Sequence, residues 1–467
     1  MISPLLLLLT GTSLAVRPTE GGMFSFDDAD VVASWEEPGG VVRVHYSVEG
    51  PNVVRAGDAD QDGVPDFAQD VAITAAEVID FYSDTVGLRR PLSEDQVGLS
   101  ALGGSYAFDF YLVDFAGNAD GMFSPDGCAD GHCAGHMVME NDFAGYGYPS
   151  ISMAIEVLTS HELFHAVQNA YAADQVNWFA EGTAVWGENQ WDPGSLDFMW
   201  FADSYLESAD RSLDKPPTGP VPAFAYGTCL WWDFLTTRHD TELMNELQEA
   251  TDDSTGDPLL DMASVIEGRA DTLEEAWTTF VSWNLATGDR AGALPGYSYA
   301  TRLDGIHAEA EGTSIDDDNR FYPLAATYYR LDHQGGPLWF GLEEEAAGLH
   351  FALHPVKDGA ADGPVEPAAE AWYGEAQGKR ALLDGADLPA GGYWLAVTYP
   401  QRADASTKVR LCLGDEAAAS ACTAGDEPED TGTDEPEEPG KGCSSTGLTP
   451  LAGAWGLIAL MRRRRSS

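Results

Sequence analysis

The chain has 467 residues, 44% of them hydrophobic, which is long enough for two domains and apolar enough to bury a sizeable core. Its 77 acidic residues face only 24 basic ones, a formal charge of −53. No basic patch is available to neutralise phosphates, so nucleic acid is excluded as a partner; such acidity suits a soluble protein, in a salt-rich habitat or simply outside the cell.

Residues 1–15 read as a signal peptide, because the apolar run Leu5–Leu9 is too short to span a membrane and small residues follow at Ser13 and Ala15. Export permits disulfides, and the six cysteines include two close pairs, so Cys128–Cys133 and Cys412–Cys422 are the expected local bridges. A competing zinc reading of Cys128, Cys133, His132 and His136 would need four ligands to converge within one Gly/Asp-rich loop. Cys229 lies in the apolar run Thr-Cys-Leu-Trp-Trp and reads as a core thiol.

Val41–Ser47 alternates as a strand does. Asp58, Asp60, Asp62 and Asp66 then occupy positions 1, 3, 5 and 9 of a calcium loop, with Gly63 at position 6. Position 12 is Gln69 rather than the bidentate Glu, so the segment reads either as a Ca²⁺ site or as a polar turn capping the next helix. That helix is predicted over 67–86 by the spacing of Phe67, Val71, Ala75, Val78 and Tyr82. Tyr106–Val113 and His136–Glu140 are further strand candidates. From about Ser150 to Ala286 the pattern is helical, with breaks near Pro193, Pro216–Pro222 and Gly256–Pro258. Strands followed by helices predict an α+β domain.

Within the helical part, Val157–Tyr171 contains His-Glu-x-x-His with no Gly or Pro. Positions i and i+4 share a helix face, so His161 and His165 can offer two imidazoles to one metal ion. Glu162 is offset by one position, where it can take a proton from the attacking water and pass it to a leaving amine. Catalytic zinc commonly takes two His and one Glu, and the segment Asn177–Glu188 supplies Glu181 at an interval that fits helix, short loop and second helix. Gly182 and Ala184 are small enough to let the second helix approach the first.

His-Glu-x-x-His followed by Trp-x-x-Glu-Gly-x-Ala resembles gluzincin-type zinc metallopeptidases. More narrowly, Val44-His45-Tyr46, Asp62-Gly63-Val64-Pro65-Asp66, His165-Ala166-Val167-Gln168, Glu181-Gly182-Thr183-Ala184 and Tyr226-Gly227 resemble secreted metallopeptidases of myxobacteria and related bacteria. The resemblance covers roughly residues 40–290. It implies a zincin-like fold, zinc ligation by His161, His165 and Glu181, and Glu162 as general base. Thermolysin-like gluzincins carry an acidic residue four after the zinc Glu, to orient a ligand His; here that position is Val185, which leaves Glu188 as the candidate for the role. Tyr226 and His239 are candidates for the oxyanion donor, with a plain core tyrosine as the alternative for Tyr226.

Beyond Asp316, β-prone runs at Ala325–Leu331, Leu338–Leu342, Leu349–Leu353, Tyr393–Thr398 and Val409–Leu413 predict an all-β sandwich over 316–422. Ala390-Gly-Gly-Tyr-Trp-Leu-Ala-Val397 resembles the prepeptidase C-terminal-type sandwiches of secreted bacterial proteases, whose role could be adhesion, substrate capture or stabilisation. Residues 423–442 are acidic and Pro-containing and read as an extended linker. Residues 443–467 combine Cys443, an uncharged stretch and Arg462–Arg465, and resemble myxobacterial sorting tags, which implies attachment to the cell surface near Cys443. The expected domains are therefore a signal peptide (1–15), a zincin-like peptidase domain (16–315), the sandwich, the linker and the tag. The expected function is a secreted or surface-anchored zinc endopeptidase acting on protein or peptide. The rival is a surface binding protein on the same fold that cleaves nothing, and the intact Glu162 favours the enzyme. A zinc aminopeptidase on the same ligands is a third reading, with nothing to locate a substrate amine.

Overall fold

The computed structural model describes residues 16–22, 24–214, 223–252, 257–292, 294–344, 348–355, 369–372, 383, 385–403 and 405–423. The predicted signal peptide, all but the first residue of the acidic linker, and the Cys443 tag lie outside them. The chain is a mixed α/β protein with several sheets.

The first sheet holds β1 (Val32–Glu36), β2 (Val42–Ser47), β3 (Phe108–Val113), β4 (Gly121–Ala129) and β5 (His132–Glu140) in the order β1-β2-β3-β5-β4. β2, β3 and β5 run parallel, and β1 and β4 are antiparallel edges. β3 is buried on both faces: Phe110 and Leu112 enter the main core, while Tyr111 and Val113 enter a smaller cluster on the other side. β4 falls where the sequence reads as a Gly/Asp-rich loop. Asp130 and Gly131 have φ of 54° and 88°, the left-handed values a two-residue hairpin turn requires. They join β4 to β5 and set Cys128 opposite Cys133, whose Cα atoms lie 4.0 Å apart in the expected disulfide. With both cysteines bonded, His132 on Asp252 and His136 on Asp126, the alternative zinc loop is not assembled.

The predicted 67–86 helix becomes α1 (Asp66–Asp80) continued by wider π-type turns over Phe81–Val86, which Gly87 ends at a φ of 87°. Helices α2 (Ile151–Asn169), α3 (Asn177–Trp191), α4 (Leu196–Leu206), α5 (Phe224–Gly227), α6 (Cys229–Arg238), α7 (Glu242–Asp252), α8 (Pro258–Gly268) and α9 (Leu273–Leu285) follow. Ser150 caps α2 by accepting from the Met153 amide. α2 lies against α1, the sheet and α3 and is buried almost all round, which explains why its sequence has no clear amphipathic stripe.

The carboxyl-terminal strands are β6 (Ala310–Gly312), β7 (Ile315–Phe321), β8 (Ala326–His333), β9 (Gly336–Leu342), β10 (His350–His354), β11 (Ala369–Trp372), β12 (Ala386–Leu388), β13 (Gly391–Thr398) and β14 (Thr407–Gly414), followed by helix α10 (Glu416–Thr423). They form a five-stranded sheet, β11-β10-β13-β8-β6, and a four-stranded one, β12-β9-β14-β7. Tyr329, Phe351 and Leu395 from one sheet meet Phe340, Leu411 and Leu413 from the other in a shared core. β6 pairs with β8, so the β-rich part begins a few residues before the expected boundary. The Cys412–Cys422 disulfide ties α10 to β14, with Cα atoms 5.7 Å apart. The other face of the five-stranded sheet is no free surface. Tyr328, Trp394 and Ala396 join the main core, the Trp277 indole donates to Thr398 Oγ1 (2.8 Å), and the Tyr328 hydroxyl donates to the Val281 carbonyl (2.9 Å). Among the described residues no helix is long and apolar enough to cross a membrane.

Candidate metal centre

α2 and α3 cross with two glycines where a larger side chain could not fit. A Cβ on Gly187 would lie 2.5 Å from the Phe164 ring, so it is Gly187 that lets α3 approach α2. Gly182, expected to do this, instead makes room for Thr228, whose hydroxyl would lie 1.9 Å from a Cβ there. This packing brings His161 and His165, one turn apart on α2, to Glu181 on α3. Their ligand atoms lie within 4.8 Å of one another. Glu181 Oε2 is 3.4 Å from His161 Nε2 and 3.5 Å from His165 Nε2. Ligand atoms about 2.0–2.1 Å from a tetrahedral zinc would be about 3.3 Å apart.

The outward-facing ring nitrogens are held from behind. His161 Nδ1 is 2.6 Å from Glu188 Oε1, and His165 Nδ1 is 2.8 Å from Gln168 Oε1. Glu188 is two turns from Glu181 on α3, so both carboxylates face α2 and Glu188 meets His161, whereas Val185 is a fully buried core residue. Gln168 also donates to the Ala180 carbonyl and to Thr183 Oγ1, which locks α2 to α3 beside the ligands. The sequence marks Gln168 only as the last residue of the His165-Ala166-Val167-Gln168 stretch and attaches no role to it.

Two buried atoms at the centre, His165 Nε2 and Glu181 Oε2, have no hydrogen-bond partner. Leaving such groups unpaired is costly, and a metal ion is the partner this donor set fits. The electrostatics agree. Burial opposes charge on His161, but Glu181 and Glu188 outweigh it and raise its pKa well above the ordinary value. Burial likewise acts on His165, and Glu181 raises it. Burial would raise Glu181, yet the two histidines hold it down at about 2. The surroundings thus favour positive charge between the three donors.

Glu162 is buried beside this group and its Oε2 accepts from the Phe123 amide of β4 at 2.8 Å. Burial raises its pKa, against the lowering effect of His165 and His161. The Tyr226 ring, on α5, stacks on His161 at 5.7 Å between centroids and 17° between planes. Its hydroxyl pKa is raised by burial and by Glu181 and Glu162, so it remains a proton donor. His239, the other oxyanion candidate, sits at the end of α6 with its Nε2 3.2 Å from Asp271.

Asp58, Asp60 and Asp62 also come within 4.8 Å of one another, but all three are exposed. Asp66 is not in that group; its carboxylate accepts from the Ala59 amide, and Gln69 donates to Asp62. Cys229 is buried and unpaired by any disulfide, as expected of a core thiol. Comparison of the chain with protein-family models and with curated proteins finds no match.

Proposed function

We propose that the chain is a zinc-dependent endopeptidase of gluzincin type, built on a zincin-like domain that packs against a carboxyl-terminal β-sandwich. The observation that carries this reading is the convergence of His161, His165 and Glu181 at tetrahedral ligand spacing, with two buried ligand atoms, His165 Nε2 and Glu181 Oε2, that make no hydrogen bond. Zinc bound there would supply a Lewis acid that polarises the scissile carbonyl and acidifies the attacking water.

The remaining work falls to the chain's own groups. Glu162, fixed by the Phe123 amide, takes the water proton at its carboxylate and delivers it to the leaving amine. Burial raises its proton affinity, which suits a group that must both accept and return a proton. Tyr226 is the proposed donor to the oxyanion that develops on the carbonyl. Glu188 and Gln168 fix the tautomer and ring angle of His161 and His165. We read residues 1–15 as an export signal and 443–467 as a tag for attachment near Cys443, so the proposed site of action is the cell surface. The Asp58–Asp66 loop is proposed to take Ca²⁺ and pin the start of α1. The test of the peptidase reading is zinc analysis of the purified protein beside a broad peptide-cleavage screen. Stoichiometric zinc with cleavage supports it, and stoichiometric zinc with no cleavage favours the surface binding protein.

A further inference from the structure

On the sheet face opposite the proposed metal centre, the amino-terminal arm packs Phe24 and Phe26 on the cluster of Tyr111, Val113, Phe115 and Val138. Its Arg17 is only 3% exposed. The guanidinium enters a box of three buried carboxylates that come from three separate pieces of chain. Nε and Nη2 donate to the two oxygens of Asp126 on β4 at 3.0 and 2.5 Å. Nη1 donates to Asp109 on β3 (2.5 Å) and to the Tyr111 hydroxyl (2.9 Å), and Nη2 reaches Glu94 at 3.0 Å. His45 on β2 completes Asp109 at 2.8 Å, and His136 on β5 completes Asp126 at 2.9 Å. Every one of these groups is at least nine-tenths buried. A Cβ on Gly103 would fall on the Asp109 carboxylate, so the wall is closed on that side too.

Without Arg17, three carboxylates would share one dry compartment with only two histidines to offset them. Like charges at that spacing cannot all stay ionised in a low dielectric, so the box closes only around a cation. The pattern of donors wanted is a planar fork that meets both oxygens of one carboxylate and reaches two more, which a guanidinium offers and an ammonium does not. Asp126 lies three residues from Phe123 on the same edge strand, and Phe123 supplies the amide that holds Glu162.

We propose that Glu94, Asp109 and Asp126 form a guanidinium receptor filled by Arg17, through which the amino-terminal arm fixes β4 and thereby positions Glu162. Arg17 is on this account a positioning residue. Its link to activity rests on the peptidase reading, whereas its link to β4 does not.

The experiment compares full-length wild type, Arg17→Ala and Arg17→Lys, each with and without a few millimolar methylguanidinium. Melting temperature and amide hydrogen exchange over 121–126 are read first, and peptide cleavage second. Arg17→Ala is expected to melt at least about 5 °C lower and to exchange faster over β4, because removing one partner of a buried ion cluster is strongly destabilising. Methylguanidinium should recover most of both losses in Arg17→Ala and change wild type little. Arg17→Lys keeps the charge but not the fork and should remain short of wild type in both readouts; it carries the comparison if the alanine variant yields no folded protein. Wild-type melting and exchange in Arg17→Lys, or equal effects of methylguanidinium on wild type and Arg17→Ala, would overturn the receptor. If melting and exchange behave as expected while wild type cleaves no peptide, the receptor stands and the peptidase reading fails.

Discussion

The loop at Asp58–Asp62 and the crossing of α2 with α3 each bring three side chains that could hold a metal ion within the same 4.8 Å. They differ in everything else. The loop carboxylates are exposed and already in use: Asp58 accepts from the Asp62 and Gly63 amides, and Asp62 from the Val64 amide and Gln69. At the helix crossing His161 and Glu181 are buried and His165 is partly so, two of the three side chains' atoms have no hydrogen-bond partner, and the outward-facing nitrogens are held by Glu188 and Gln168. Proximity of ligands is therefore a weak sign of a metal site. Burial with unsatisfied donors is a strong one, because only the buried group pays a standing cost that an ion removes.

The largest effects are expected at the crossing. Glu181→Ala and His161→Ala should each lose zinc and activity together, since two ligands hold the ion poorly. Zinc stoichiometry after dialysis checks this, and full zinc with full activity in Glu181→Ala would show that the third ligand is misassigned. Glu188→Gln is expected to weaken zinc binding by about 10-fold or more while leaving the fold intact, as removal of a partner behind a ligand histidine usually does. Competition with a chelator of known affinity measures it, and an unchanged affinity would mean that the 2.6 Å contact with His161 does not tune the ligand.

A buried carboxylate with no proposed cation partner sharpens the contrast. Glu140 accepts from the Phe115 amide and the Tyr146 hydroxyl, yet burial, with help from Asp114 and Asp142, pushes its pKa up from 4.5 to about 7. Between those values the folded state binds the extra proton, so its contribution to stability is lost as pH rises, by about 3 kcal/mol across the window. Glu140→Gln should therefore gain melting temperature over wild type at pH 8 and lose that gain near pH 5. Thermal melts at the two pH values check it, and an advantage that does not change with pH would refute it. The smallest effect belongs to the exposed loop: millimolar Ca²⁺ should raise the melting temperature by a few degrees in wild type and less in Asp58→Asn. An identical response in both would remove the loop from consideration.

Much of this was legible beforehand, and the reasons are local. His-Glu-x-x-His on an unbroken helix dictates where two imidazoles point, and Glu181 follows at a helix-loop-helix interval. The strands at Ala326–His333, Gly336–Leu342, His350–His354, Gly391–Thr398 and Thr407–Gly414 overlap the apolar runs that predicted them. What escaped was non-local or disguised. β7 reads Ile-Asp-Asp-Asp-Asn-Arg-Phe, an edge strand whose polar positions find Lys408 and Arg410 on β14 rather than a core. β4 contains Gly, Pro and Asp and reads as a loop, although its Asp-Gly turn is a hairpin signal. Arg17 carries no motif and Gln168 only a place in His165-Ala166-Val167-Gln168, because the partners of Arg17, and those of Gln168 on α3, lie on elements that only the tertiary fold brings near.

If Glu162 is the base of a three-ligand metal centre, Glu162→Gln separates metal binding from turnover. The change is nearly isosteric and touches none of His161, His165 or Glu181, so zinc content should stay at the wild-type level. A glutamine cannot take the water proton, so peptide cleavage should fall by roughly 10²–10⁴ or more. Measuring zinc stoichiometry and cleavage rate on the same preparations gives both numbers. Retained zinc with lost turnover is the result this account predicts; cleavage at the wild-type rate in Glu162→Gln would contradict it.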